Sequence, residues 1–186
     1  MVADRFGMRR TPQPASMNGL NSYRIHRLKG TMMSVTRTVA PSFDFGVVVL
    51  VRVHFDDLDP MSMLHNSRYQ MLVERAWSEF WYGQGFGGDS GLEGDAFNVV
   101  KAFSITYEVP IMKPGEYSVH LWMERIGNTS ATFGYRVYSV DGDVVHALGS
   151  RTVIRLDSAT LLPTPWSDQA RKVAGSLEVT QSEKTP

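Results

Sequence analysis

The sequence contains no cysteine. This absence excludes disulfides, thiol nucleophiles and every metal site with cysteine ligands, and it is typical of the reducing cytoplasm, where we expect the protein to reside. The 19 basic and 19 acidic side chains cancel, so no net field favours nucleic acid as a partner. No stretch approaches the roughly 20 apolar residues of a membrane-spanning helix, and no apolar secretory signal stands at the start. The sequence therefore predicts a soluble protein with no nucleic-acid or membrane partner.

The length of 186 residues predicts one domain with additional segments at its ends. Residues 1–40 are rich in arginine and poor in acids, which predicts a disordered basic extension. Such a segment is typical of a transit peptide. The alternative is that translation starts later, since the segment contains several further methionines. Residues 41–172 are the predicted domain, and the polar residues 173–186 are a predicted flexible tail.

Strand and helix patterns follow one another in an order that indicates the α+β class. A β-branched and aromatic run at 45–55 predicts a strand, and apolar residues at helical spacing predict a helix over 65–82 that ends at Gly83. Turn residues then separate four further predicted strands, at 97–109, 117–126, 130–140 and 144–156. The apolar stripe of the helix is wide, so we expect the helix to lie deep against an antiparallel sheet.

The segment between the first strand and the helix carries the most specific pattern. From His54 to Tyr69 it reads HFDDLDPMSMLHNSRY, and VERAWSEF follows at 73–80. This stretch resembles the 4-hydroxybenzoyl-CoA thioesterase-like family of the hotdog superfamily. The resemblance consists of an Asp-x-Asp, a small turn, an Asn/His-x-x-Tyr and this helix pattern. The resemblance covers residues 46–172, with its specific part at 57–80. It implies a hotdog fold, in which a five- or six-stranded antiparallel sheet wraps around one long central helix.

The resemblance implies that Asp59 is the catalytic residue. A thioesterase needs a carboxylate that attacks the carbonyl or one that deprotonates a water, and Asp59 can serve either way. The residues alone leave another interpretation open, because Asp56, Asp57 and Asp59 precede a helix and could simply cap it. For Asp57 we favour a structural role in the loop. The alternative is that Asp57 supports the catalytic site.

The start of the helix supplies candidate donors for the oxyanion. Free amides at a helix N-terminus point outward with a favourable dipole, and the amides of His65 and Asn66 are the candidates. The family contacts the thioester oxygen at the position of Asn66. We predict that His65, Asn66, Arg68 and Tyr69 bind substrate, although His65 could equally cap the helix and Tyr69 could pack in the core.

Several positions depart from the family pattern or have two interpretations. Ser62 stands at a turn position that is usually glycine, Met63 replaces a common histidine or aliphatic residue, and Trp77 replaces a frequent arginine. For Glu74 we favour a structural hydrogen-bonding role. The alternative is that Glu74 supports the catalytic site. We expect the acyl group to lie against aromatic residues such as Tyr69, Trp77 and Phe103.

The resemblance implies an acyl-CoA thioester hydrolase that releases a carboxylic acid and CoA. The expected partners are an acyl-CoA or acyl-carrier-protein thioester and a second copy of the chain, in a homodimer or a tetramer with two sites at the subunit interface. No cofactor is expected, because CoA is part of the substrate, and no metal, because Asp57 and Asp59 lack the further oxygens of a calcium loop. The alternatives are a noncatalytic acyl-thioester binding module and a dehydratase that uses His65 with Glu74.

Overall fold

The computed structural model describes residues 41–86 and 94–178. The predicted basic extension, residues 1–40, lies outside them. The described chain forms, in order, β1 (Val47–Val53), a 3-10 turn (Phe55–Asp57), α1 (Asn66–Gly83), a second 3-10 turn (Gly94–Ala96), β2 (Asn98–Tyr107), β3 (Gly115–Ile126), β4 (Ser130–Ser139), β5 (Val145–Arg155) and α2 (Asp168–Gly175). Neither helix in these two ranges combines the length and the hydropathy of a bilayer-spanning segment.

The five strands form one antiparallel sheet in the order β1-β3-β4-β5-β2. Strands β3, β4 and β5 are neighbours because short turns join them, and Gly142 takes a φ of +87° in the predicted Asp-Gly turn. Strand β2 instead pairs with β5, at the edge of the sheet opposite β1. The predicted α+β class with a five-stranded antiparallel sheet is confirmed.

Helix α1 is 18 residues long and buries one face against the sheet. Its buried residues recur every three or four positions, as the sequence predicted: Tyr69, Leu72, Val73, Ala76 and Trp77. The Trp77 ring stacks on Phe133 of β4 with the centroids 3.7 Å apart, and Leu72 has no exposed surface. Complete burial of such a leucine contributes about 2 kcal/mol. That the sheet wraps around a long central helix stays a prediction.

Helix α2 was not predicted from the sequence. Ser167 caps it by accepting a hydrogen bond from the Ala170 amide at 3.1 Å, and Ala174 and Leu177 are buried. The carbonyl of Leu177 accepts a hydrogen bond from the Met123 amide at 2.9 Å. The chain therefore packs on the sheet beyond residue 172, where the sequence placed the end of the domain. The helix has only 8 residues, about two turns, and the residues it buries are small alanines. The sequence therefore shows too little periodicity to predict it.

Candidate active site

The loop between β1 and α1 is held by the buried carboxylate of Asp57. Its Oδ2 accepts a hydrogen bond from the His54 amide at 2.8 Å, and its backbone carbonyl accepts one from the His65 amide at 3.1 Å. The carboxylate also faces two arginines of α1, with Arg68 Nε at 3.7 Å and Arg75 Nη1 at 4.0 Å. These contacts tie the end of β1 to the start of α1, as expected of a structural residue.

Asp59 occupies a tight turn that fixes one of its two carboxylate oxygens. Its Oδ1 accepts hydrogen bonds from the amides of Met61 at 2.8 Å and Met63 at 3.1 Å. Its backbone amide donates to the Met63 carbonyl at 2.7 Å, and its carbonyl accepts from Ser62 at 2.9 Å. Oδ2 has no hydrogen-bond partner within residues 41–86 and 94–178. The turn thus orients the carboxylate and leaves one oxygen available.

Ser62 adopts the left-handed backbone conformation that favours glycine. Its φ is +60°, at the position where the family pattern has glycine. A side chain in this region costs on the order of 1–2 kcal/mol, which the hydrogen bonds of the turn offset. Despite the departure from the family pattern, Ser62 thus takes a backbone conformation typical of glycine, and the turn closes around Asp59.

The start of α1 provides one free amide, where the sequence predicted two candidates. The His65 amide already donates to the Asp57 carbonyl. His65 acts as the helix N-cap, since its Nδ1 accepts from the Ser67 amide at 3.3 Å and lies 2.9 Å from the Ser67 hydroxyl. The Asn66 amide has no partner in the part of the chain that the structure describes. Of the two predicted donors, the Asn66 amide is thus the one left free within the described residues.

Asp59 and the start of α1 face the same open cleft of about 420 Å³. Four predicted site residues line this cleft: Asp59, His65, Asn66 and Tyr69. Its other lining residues are Met61, Met63, Leu64, Tyr107, Glu108 and Pro110. The last three lie at the end of β2 or just after it, some forty positions after Asn66 in the sequence. No local pattern in the sequence pointed to them. Glu108 adds a second carboxylate to the cleft.

Two tyrosines form the back wall of the cleft. Tyr69 is buried, its hydroxyl accepts a hydrogen bond from the Ile111 amide at 3.2 Å, and its ring meets that of Tyr107 edge to face at 5.2 Å. Burial raises the pKa of Tyr69, and the bond from Ile111 partly offsets this rise. The Tyr107 hydroxyl donates to the Asn66 carbonyl at 3.3 Å. Tyr69 is therefore neutral and both shapes the cleft and packs in the core.

Other predicted site residues lie outside this cleft. Arg68 turns toward Asp57, and its Nη1 lies 3.2 Å from the Met71 sulfur. Glu74 forms an ion pair with Arg151 of β5. Eight residues separate Glu74 from Asn66, about 12 Å along a helix, so the two positions cannot share one small site.

The aromatic residues expected around the acyl group are also placed elsewhere. Trp77 stacks on Phe133, and Phe103 stacks on Tyr135 with the centroids 5.4 Å apart. Neither lines the cleft beside Asp59. Within the described residues, no group of three or more histidine and acidic side chains is placed to hold a metal ion.

The sequence matches the family model of the thioesterase superfamily over residues 61–146, which begins two positions after Asp59. A protein of Aquifex aeolicus named as a candidate esterase is 28% identical over 116 residues, which are 60% of this chain and 88% of the relative.

The solved structures that share this fold include two that are more than 25% identical to this chain. The thioesterase of Thermus thermophilus, complexed with coenzyme A and Zn, is 26% identical, with a TM-score of 0.59 over 72% of this chain and 95% of that one. A candidate acyl-CoA thioesterase from Xanthomonas campestris is 27% identical, with a TM-score of 0.54 over 66% of this chain and 99% of that one.

Proposed function

Because the sequence matches the family model of the thioesterase superfamily over residues 61–146, we propose that this chain belongs to that superfamily and hydrolyses acyl-CoA thioesters with Asp59 as the catalytic carboxylate. One observation carries the proposal. The Asp59 carboxylate has one oxygen held by the turn and one without a partner among the described residues, and it shares a cleft with the unpartnered amide of Asn66. A nucleophile or base and an oxyanion donor are the two groups that thioester hydrolysis requires.

In the proposed mechanism the free Oδ2 of Asp59 acts on the thioester carbonyl or on a water. In the first route it attacks the carbonyl carbon, CoA leaves as the thiolate, and water hydrolyses the mixed anhydride. In the second route it takes a proton from the attacking water, and the tetrahedral intermediate expels the thiolate. In both routes the Asn66 amide donates to the oxyanion, aided by the positive end of the α1 dipole.

Support for CoA as the carrier comes from the similar Thermus structure, which holds coenzyme A, and from the Xanthomonas relative named for acyl-CoA. The walls of the cleft are mainly apolar and include Met61, Met63, Leu64 and Tyr107. An apolar wall next to a carboxylate suits an acyl chain or aryl group attached to a polar thioester.

A panel of acyl-CoAs tests this function directly. The full-length protein is incubated with short-chain, long-chain and aryl-CoA thioesters, and the free thiol is followed with a chromogenic reagent. We expect release of CoA that saturates with at least one of them. Saturable binding of the same thioesters without thiol release would instead support the noncatalytic binding module, and an acyl-carrier-protein thioester in the same assay tests the other carrier.

The proposal includes a dimer formed through the edge strand β2. Strand β2 has ten residues, pairs on one side only, and exposes Val99 by 46% and Val100 by 41%. A long exposed apolar edge is a template for pairing with another strand. In the hotdog arrangement that we propose, the sheet wraps around α1 and two sheets join edge to edge across a two-fold axis.

Light scattering after size exclusion tests the dimer. We expect a mass about twice the 20.8 kDa of the chain, with Val100→Lys shifting the protein toward the monomer because charge on an edge strand opposes pairing. Leu50→Lys on β1, the opposite edge, is the matched control, since Leu50 is 46% exposed. A wild-type protein that elutes as a monomer at all concentrations contradicts this part of the proposal.

A further inference from the structure

A second cavity of about 270 Å³ lies between the second half of α1, the sheet and α2. Its apolar walls come from aromatic side chains, among them Trp77, Trp81, Phe86 and Trp166. No residue lines both this cavity and the cleft beside Asp59. The volume is close to the roughly 300 Å³ at the lower end of small-molecule sites.

Three residues that line this second cavity carry a buried side-chain N–H with no acceptor among residues 41–86 and 94–178. The three groups are Nε of Arg151 and the indole nitrogens of Trp81 and Trp166. Arg151 is only 4% exposed. Buried donors normally have a partner, because an unsatisfied one loses its hydrogen bonds to water without replacement. Three such donors around one cavity point to a ligand that accepts hydrogen bonds.

The Asp95 carboxylate, an acceptor from a residue that lines this cavity, is already engaged. The Asp95 carboxylate lies 3.0 Å from Arg155 Nε and also accepts from the Ser167 amide at 3.0 Å. The Asn98 side-chain amide donates to the Asp95 carbonyl at 3.1 Å. Indole and guanidinium groups can only donate. The three N–H groups therefore need another acceptor, and the two oxygens of a carboxylate offer several acceptor sites.

Glu74 is the ionic partner of Arg151, and the two side chains differ sharply in burial. The Arg151 side chain is 4% exposed and that of Glu74 is 49% exposed. The glutamate can therefore turn into solvent at small cost, whereas the arginine is fixed in the wall. An incoming carboxylate can take the place of Glu74 and keep the Arg151 cation paired. A buried cation is tolerated only when it is paired.

We propose that this cavity binds a small carboxylic acid with an aromatic or short aliphatic body. The carboxylate receives hydrogen bonds from Arg151, Trp81 and Trp166, and the apolar body packs against Trp77 and Phe86. The site goes beyond the proposed hydrolysis, because it uses none of the residues in the Asp59 cleft. It gives the protein a place to bind a free acid apart from the thioester.

Intrinsic fluorescence tests this site, because three of the four tryptophans line the cavity. The full-length protein is titrated with benzoate, phenylacetate and hexanoate, and in parallel with benzyl alcohol, phenylethanol and hexanol. We expect a saturable change with at least one acid and at least about tenfold weaker binding of its alcohol, since a charge-assisted hydrogen bond is lost. No saturable change with any acid overturns the proposal.

Matched variants then locate the binding. Arg151→Met is expected to weaken binding of the acid at least about tenfold, whereas Glu74→Gln is expected to strengthen it several-fold because the competing charge is gone. Trp122→Phe removes the one tryptophan outside the cavity and should keep the fluorescence change. Asp59→Asn should keep the affinity, which separates this site from the catalytic cleft.

Some outcomes of these variants contradict the proposal. Unchanged affinity in Arg151→Met, or lost affinity in Asp59→Asn, places the acid elsewhere. If Arg151→Met fails to fold by circular dichroism, Trp166→Phe takes its place, because it removes one N–H and keeps an aromatic ring. A severalfold loss of acid affinity in Trp166→Phe, with no change for the alcohol, supports the site, and equal losses for both overturn it.

Discussion

Replacing Asp59 with asparagine is expected to lower kcat/KM for acyl-CoA hydrolysis about 10³-fold, within the range attributed to a positioned base or nucleophile. Asparagine keeps an Oδ1 that can accept the hydrogen bonds from Met61 and Met63, now 2.8 Å and 3.1 Å long. The turn should therefore persist while the charge disappears. Thiol release measures the activity, and thermal unfolding of the same sample measures the stability.

A neighbouring carboxylate supplies the matched control for Asp59→Asn. Asp57→Asn removes a buried charge that faces Arg68 and Arg75, so we expect it to lower the melting temperature more than Asp59→Asn does. Its residual folded fraction should still hydrolyse thioesters. A catalytic group is worth roughly 10²–10⁴-fold. If Asp59→Asn retains more than about a tenth of the wild-type activity, Asp59 is therefore a structural residue of its turn and not the catalytic residue.

Replacing Asn66 with proline is expected to lower kcat about 10²-fold, the usual effect of losing one oxyanion donor. On the backbone, proline removes the amide proton that has no partner in the described chain, and it also removes the asparagine side chain. Asn66 is the first residue of α1, where proline is tolerated. The preceding His65 has φ −59° and ψ 136°, a conformation compatible with a following proline. The helix should form normally.

The change Asn66→Ala separates the backbone from the side chain. Alanine keeps the amide and loses only the side-chain oxygen, which now accepts from the Ser67 amide at 2.8 Å. We expect this variant to hydrolyse acyl-CoA at close to the wild-type kcat and the proline variant to differ from it chiefly in kcat, with a small change in KM. Equal activities of the two variants, with unchanged circular dichroism, would remove the Asn66 amide from the mechanism.

The sequence by itself determined the five strands, helix α1 and the position of the Asp59 turn, but not helix α2. A β-branched and aromatic run predicted β1, and helical periodicity predicted the buried stripe of α1. Turn residues predicted the antiparallel β3-β4-β5 order. All these signals depend on neighbours within a few positions. The motif from His54 to Tyr69 drew attention to Asp59 ahead of its neighbouring acids. The left-handed Ser62 fits there because that turn requires a positive φ.

Tertiary structure alone decided which groups share a site. It placed Tyr107 and Glu108 beside Asp59, paired Glu74 with Arg151, and occupied the His65 amide while leaving that of Asn66 free. Each of these outcomes depends on contacts between segments that are distant along the chain or on the path of one backbone turn. A residue pattern specifies the face on which a side chain lies, but packing between elements determines its neighbour.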